Sequence, residues 1–134
     1  MTRLPDWKPR LIAYLATVAR RPYRPGRHDC ALFVAGGVAA MTGIDLAAEW
    51  RGYASLREGR ARLAQAGIED LAGLALRHFA EVPALFAQEG DVAVLSDRRG
   101  QQALGLVQGP CVYGVGRSGL ALAPLTAVER AFRV

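Results

Sequence analysis

The stretch Arg21–Gly43, RPYRPGRHDCALFVAGGVAAMTG, decides how the rest of the chain is read. Its first seven residues hold two prolines and a glycine, which restrict φ and remove amide donors, so this piece is a loop. Asp29 then offers a helix N-cap and Gly43 a stop, while Leu32, Phe33, Ala39, Ala40 and Met41 leave almost no polar face between them. The predicted helix is therefore central and buried. Gly36 and Gly37 inside it each cost about 1 kcal/mol relative to Ala, which points to close approach of another backbone. Cys30 falls in the first turn, where the positive end of the helix dipole favours a thiolate nucleophile. The same position also suits a small core hydrophobe, since Cys is among the most buried residue types.

Upstream, Trp7, Leu11, Tyr14, Leu15 and Val18 recur at helical spacing and predict a first helix from about Trp7 to Arg20. Lys8 and Arg10 before LIAYLATVA imitate a secretion signal, but Pro5, Asp6 and Pro9 interrupt the leader and Arg20-Arg21 stand where cleavage would fall, so no signal peptide is expected. Downstream, Trp50–Gly67 and Ile68–Ala80 read as helices, the second through Leu71, Leu74, Ala75 and Phe79, and Pro83 closes the helical half. After Gly90, the runs DVAVL, ALGLV, CVYGV and LALAPL are short and apolar, separated by turns at Ser96–Gln102, Gly109-Pro110 and Arg117–Gly119. The expectation is an α+β chain forming one domain over 1–134, with residues 1–84 mainly helical and 90–134 a small antiparallel meander.

Of 134 residues, 51% are hydrophobic and 22% charged, which excludes disorder as the ground state. No apolar run approaches the roughly 20 residues that span a bilayer. Cys30 and Cys111 are the only cysteines, so neither a disulfide framework nor a zinc site is implied, and no cofactor motif occurs. The net charge is +5 and 16 of the 17 cations are Arg. Only Arg20, Arg21, Arg24 and Arg27 cluster densely in sequence, and aromatics are not interleaved with them, which argues against a nucleic-acid partner.

The order of elements and three landmarks bring in a resemblance. Residues 21–43 resemble the segment of NlpC-type, papain-like cell-wall peptidases in which a proline-aromatic loop leads to Asp-Cys at the start of a buried helix. EGDVAVL (89–95) resembles the Gly-Asp strand of that superfamily, and ALGLVQG (103–109) its next strand, which normally begins with His. More narrowly, residues 28–55, EGDVAVL and the C-terminal GLALAPLTAVERAFRV are similar to a group of small tailed-phage and prophage proteins on this fold.

The resemblance implies a nucleophile at Cys30, a base where this chain has Ala103, and an orienting polar group near Val112–Gly114, where only Tyr113 has one. An alanine cannot take a proton, so the triad reads as dismantled. His28, two residues before Cys30, is the substitute base, while His78 reads as a surface residue. Asp91 either tethers a loop or faces the cleft. Arg24 and Arg27, with Asp29, are candidates for binding at the cleft border, where arginines can pair with a neighbour's carboxylates. The implied function is a structural or adaptor component of a phage or phage-like tail tip, built on an inactive peptidase fold. Its partners would be tail tip or hub proteins and peptidoglycan. It would be made in the bacterial cytoplasm and located in the virion tail. The alternative is a thiol hydrolase that cuts peptidoglycan peptides with Cys30 as nucleophile and His28 as base.

Overall fold

A computed structural model describes residues 1–134. Four helices, α1 (Trp7–Val18), α2 (Cys30–Thr42), α3 (Leu56–Gln65) and α4 (Leu71–His78), precede most of the sheet. Six strands follow: β1 (Ala80–Val82), β2 (Val92–Ser96), β3 (Gln102–Gln108), β4 (Cys111–Gly116), β5 (Gly119–Pro124) and β6 (Arg130–Arg133). The sheet is antiparallel, in the order β1-β6-β2-β3-β4-β5. The α+β class holds, and β2 to β5 form the expected meander. Beyond it the chain turns back so that β6 pairs with the other edge of β2, and β1 adds outside β6. No helix is long and apolar enough to cross a membrane.

α2 starts and stops where its sequence says. Asp29 Oδ1 accepts the Leu32 amide at 3.0 Å, and Gly43 takes φ +80°. The helix is clamped between α1 and the sheet, and its two glycines are the reason it can be. A Cβ on Gly36 would lie 2.4 Å from the Tyr14 hydroxyl oxygen, and one on Gly37 would lie 2.2 Å from Leu106 Cδ1. Side chains, not a neighbouring backbone, fill the space the glycines leave. Tyr14 completes the contact by donating to the Phe33 carbonyl at 2.7 Å and stacking on the Phe33 ring.

The main core joins Leu11, Leu15 and Val18 to Phe33, Val38 and Met41 of α2 and to Val92, Val94, Leu106 and Phe132 of the sheet. The opposite sheet face is a thinner cluster in which Ala93, Val107 and Val112 are covered by Ala87, Leu95, Ala123 and Val128. Of these, Ala87 and Val128 directly follow two short 3-10 turns, Ala84–Phe86 and Leu125–Ala127.

Helix ends depart from expectation where tertiary pairing or a local cap prevails. The segment from Trp50 is helical only from Leu56, because Ser55 Oγ accepts the Glu58 amide at 3.1 Å while Glu58 Oε2 accepts the Ala54 amide at 2.8 Å. α4 ends at His78, not Ala80, and Ala80–Val82 becomes β1 against Ala131–Arg133, fifty residues away in sequence. Arg130 holds Glu81 through two bonds of 2.9 and 2.8 Å across that pairing.

Asp91 is fully buried and does not border a cleft, correcting its place among the binding candidates. Its carboxylate receives Arg3 at 3.3 Å, Arg133 at 3.1 Å and the Gln88 amide at 2.9 Å. It thus ties the N-terminus, the β2 turn and β6 together. Removing one member of such a network leaves buried charge uncompensated. Asp91→Ala is expected to lower stability by about 3–5 kcal/mol in urea unfolding. A loss below about 1 kcal/mol, the level of an exposed pair, would refute that role.

Candidate cleft around Cys30

The loop before α2 is shaped by one carboxylate. Asp29 Oδ2 accepts the Gly26 amide at 3.1 Å and also the Tyr53 hydroxyl, while Oδ1 caps α2. Gly26 has φ +77° and lies so close to Tyr53 that a Cβ would meet the Tyr53 carbonyl oxygen at 1.7 Å. The loop and the Tyr53 segment are thereby locked together, and the tip of the loop turns outward. Arg24 and Arg27 sit on that tip, exposed and without ion-pair partners, in a tight turn where the His28 amide donates to the Arg24 carbonyl at 2.8 Å. They do not border the cleft, which correct their expected position; Tyr23 does.

The cleft itself measures about 960 Å³ and lies between α2, α3, α4 and the start of β3. Its walls are mostly apolar, with Val34, Val38, Leu63, Leu71 and Leu74 among them. Cys30 borders it, half-buried. Burial pushes the Cys30 thiol up to about 11, and the neighbouring Asp29 carboxylate pushes in the same direction. Against this, the amides of Leu104, Ala31 and Cys30 itself act on the sulfur and favour the thiolate, with too little effect to reverse the desolvation. The dipole advantage read from the sequence is therefore present and outweighed.

No imidazole reaches the thiol. His28 is 4% exposed and turned edge-on to the Phe33 ring, with centroids 6.1 Å apart, and its Nε2 has no hydrogen-bond partner. It does not border the cleft, so the substitute base expected from the sequence is misplaced: its ring packs on Phe33 while Cys30 lines the cleft. His78 does border the cleft, from the exposed end of α4, a placement that helical spacing from Leu71 and Leu74 offered but that was read only as surface. Its pKa is lowered by desolvation and by Arg77.

Ala103 borders the cleft, but its register pairs it with Leu95 on the sheet face turned away from α2. The β3 side chains directed at the helices are Gln102, Leu104 and Leu106. Gln102 is occupied there, accepting the Ala72 amide at 3.2 Å and donating to Asp70 at 3.3 Å. Tyr113 does not border the cleft either; along β4 it is Val115, paired with Leu120 of β5, that does. Tyr23 supplies a hydroxyl held protonated, its pKa raised to about 12 by burial and by Asp29. Exposed Arg60, without an ion pair, lines the same wall.

Residues 2–134 match one family, described as a domain of unknown function (DUF6950). The chain belongs to that family. Two solved structures share its fold: the NlpC/p60 domain of the peptidoglycan hydrolase SagA, at TM-score 0.60 and 13% identity over 95% of this chain and 98% of that one; and RipD of Mycobacterium tuberculosis, a non-catalytic NlpC/p60 domain protein adapted to peptidoglycan binding, at TM-score 0.51 and 15% identity over 98% of this chain and 99% of that one. This DUF6950 chain has the NlpC/p60 fold. Among curated protein sequences none matches it.

Two outcomes follow from the cleft. In a Cys111→Ser background, iodoacetamide should label Cys30 with a pH midpoint near 11, against 9.0 for an ordinary thiol. Ala103→His should leave that midpoint in place, because position 103 faces the other side of the sheet; a fall toward 9.0 would show the β3 register to be misassigned. Burial and Arg21 lower the pKa of His28 below 6.5. As pH falls through 6.5 the unfolded chain takes up a proton that the folded loop resists, so stability declines below that pH and is unaffected above it. Denaturant midpoints in a His78→Gln background should show this slope, and His28→Asn should flatten it.

Proposed function

We propose that this protein uses the NlpC/p60 scaffold to bind and not to cut, as a structural or adaptor component of a phage or phage-like tail tip. The observation that carries the non-catalytic reading is the basic one of the cleft: a thiol pushed up to about 11 with no imidazole on it. A cysteine nucleophile needs a base or a lowered pKa, and here it has neither. The cleft nevertheless persists at about 960 Å³, mostly apolar, with Tyr23 and Arg60 as donors and Asp29, Glu69, Asp70, Asp97 and His78 among its polar lining. That composition suits the stem peptide of peptidoglycan, whose carboxylates an arginine can hold while its alkyl parts lie on leucine and valine. RipD, on the same fold, is described as non-catalytic and adapted to peptidoglycan binding, which supports the reading. The placement at a tail tip is supported by the likeness of residues 28–55 and 119–134 to small tailed-phage proteins.

The alternative, a thiol hydrolase with Cys30 as nucleophile and His28 as base, requires that the His28 ring leave Phe33 and cross to the cleft. Sedimentation with purified sacculi and chromatography of the released muropeptides separate the two readings. The expected result is co-sedimentation that survives Cys30→Ala, weakens about tenfold in Arg60→Glu, and releases no muropeptide. Muropeptide release abolished by Cys30→Ala would establish the hydrolase instead.

A further inference from the structure

Arginines far apart in sequence meet at one end of the sheet. Arg98 and Arg99 occupy the β2–β3 hairpin, Arg117 the β4–β5 hairpin, and Arg20 and Arg21 follow α1. The two hairpins share the walls of a cavity of about 740 Å³ that Arg98, Arg99 and Arg117 line. The end of α1 is fastened to the second hairpin: the Leu120 amide donates to the Ala19 carbonyl at 3.0 Å, and the Tyr23 amide to the Gly116 carbonyl at 3.1 Å. Gly119 permits that seam, since a Cβ there would meet the Ala19 carbonyl oxygen at 2.4 Å. All five arginines are exposed, and none takes part in an ion pair of the chain. Asp97, the acid beside them, directs its Oδ1 to the amides of Arg99 and Gln101 at 2.8 and 3.0 Å. Five uncompensated cations equal the whole net charge of the chain.

Beyond that seam, from Leu122 onward, the edge strand β5 is open. β5 pairs only with β4, and the outward Leu120 amide is taken by Ala19. By the two-residue alternation of a strand the Leu122 amide and carbonyl also point outward, and no other segment bonds them. Leu122 is 61% exposed. Unpaired edge groups beside a row of arginines define the occupant by two features at once: an extended backbone to satisfy the edge, and carboxylates to match the guanidinium forks.

We propose that this end docks an extended acidic segment of a protein partner, which adds to β5 as a seventh strand and places its carboxylates on Arg117, Arg98, Arg99, Arg20 and Arg21. Nucleic acid fits less well, because a bare phosphate backbone has no use for the strand edge. The inference rests on the adaptor reading in taking the partner to be a protein, and it makes no use of the cleft.

The test uses the full chain, a labelled peptide alternating Glu and Thr, its Lys-Thr counterpart and a DNA duplex, read by fluorescence anisotropy. The Glu-Thr peptide should bind, less tightly as salt rises, and the Lys-Thr peptide should not. Reversing the hairpin charges with Arg98→Glu, Arg99→Glu and Arg117→Glu together should weaken binding tenfold or more, roughly the loss expected for several charge-assisted contacts. Leu122→Pro, which removes the outward amide, should weaken it while circular dichroism stays unchanged; should that variant fail to fold, the exposed arginine reversals decide alone. Absence of Glu-Thr binding, undiminished binding in the triple variant, or tighter binding of the duplex would each overturn the proposal. Sacculus binding by the same variants should be unaltered. If sacculus binding fails while the acidic peptide still binds, the cleft reading falls and this one stands.

Discussion

The Asp29 carboxylate is the constraint on which the site depends. One oxygen caps α2 through the Leu32 amide, and the other gathers the Gly26 amide and the Tyr53 hydroxyl. A buried carboxylate is tolerable only when its lone pairs are used, and these three donors use them. The result is that three segments with no shared secondary structure are held in one place: the proline loop, the first turn of α2 and the Tyr53 segment. The hydrogen bond to Asp29 also pushes Tyr53 upward, after burial, so that this phenol stays a donor and the junction stays closed. Cys30 inherits its surroundings from this knot, including the negative charge that raises its pKa.

The remainder of the core serves to bring β3 to the start of α2. Gly37 lets Leu106 approach the helix, Gly36 lets Tyr14 press from the other side, and the Leu104 amide arrives at the Cys30 sulfur. α3 is different in kind. It carries no buried residue, its boundaries are set by its own cap, and its apolar residues Leu56 and Leu63 face the cleft. A helix seated over a mostly apolar cleft, with little core of its own, belongs to the low end of the local stability range.

The cleft therefore combines features that pull in opposite chemical directions. Helix-start amides favour a thiolate, as in a nucleophile, whereas desolvation and Asp29 disfavour it more strongly. In a hydrolase an imidazole would tip that balance by forming an ion pair with the sulfur. Here the β3 side chain facing the helices at that level is Gln102, whose amide is spent on the start of α4. A pocket with donors and a thiol that no imidazole meets is the arrangement on which the proposed binding role rests. The NlpC/p60 fold accommodates both outcomes among its structures, a hydrolase and a non-catalytic protein.

Much of the architecture was legible along the chain because it follows from local chemistry. Asp29 and Gly43 bound α2, the apolar run between them requires burial, and the turn residues at 97–101, 109–110 and 117–118 separate β2 to β5 as they should. The Ser55…Glu58 pair signalled the start of α3 just as locally, although the longer charged segment obscured it. β1 carried no such signal: the helical pattern runs to Ala80, yet Ala80–Val82 becomes a strand because β6 arrives from the other end of the chain. The site divides in the same way. The sequence by itself placed Cys30 at a helix start beside a capping acid. Only the tertiary structure turned His28 onto Phe33, set Ala103 on the far face of β3, committed Asp91 to two arginines and assembled scattered arginines around a strand edge. Caps and turns depend on neighbours along the chain, whereas a side chain's partner depends on which face of which element meets it, and that is decided by packing.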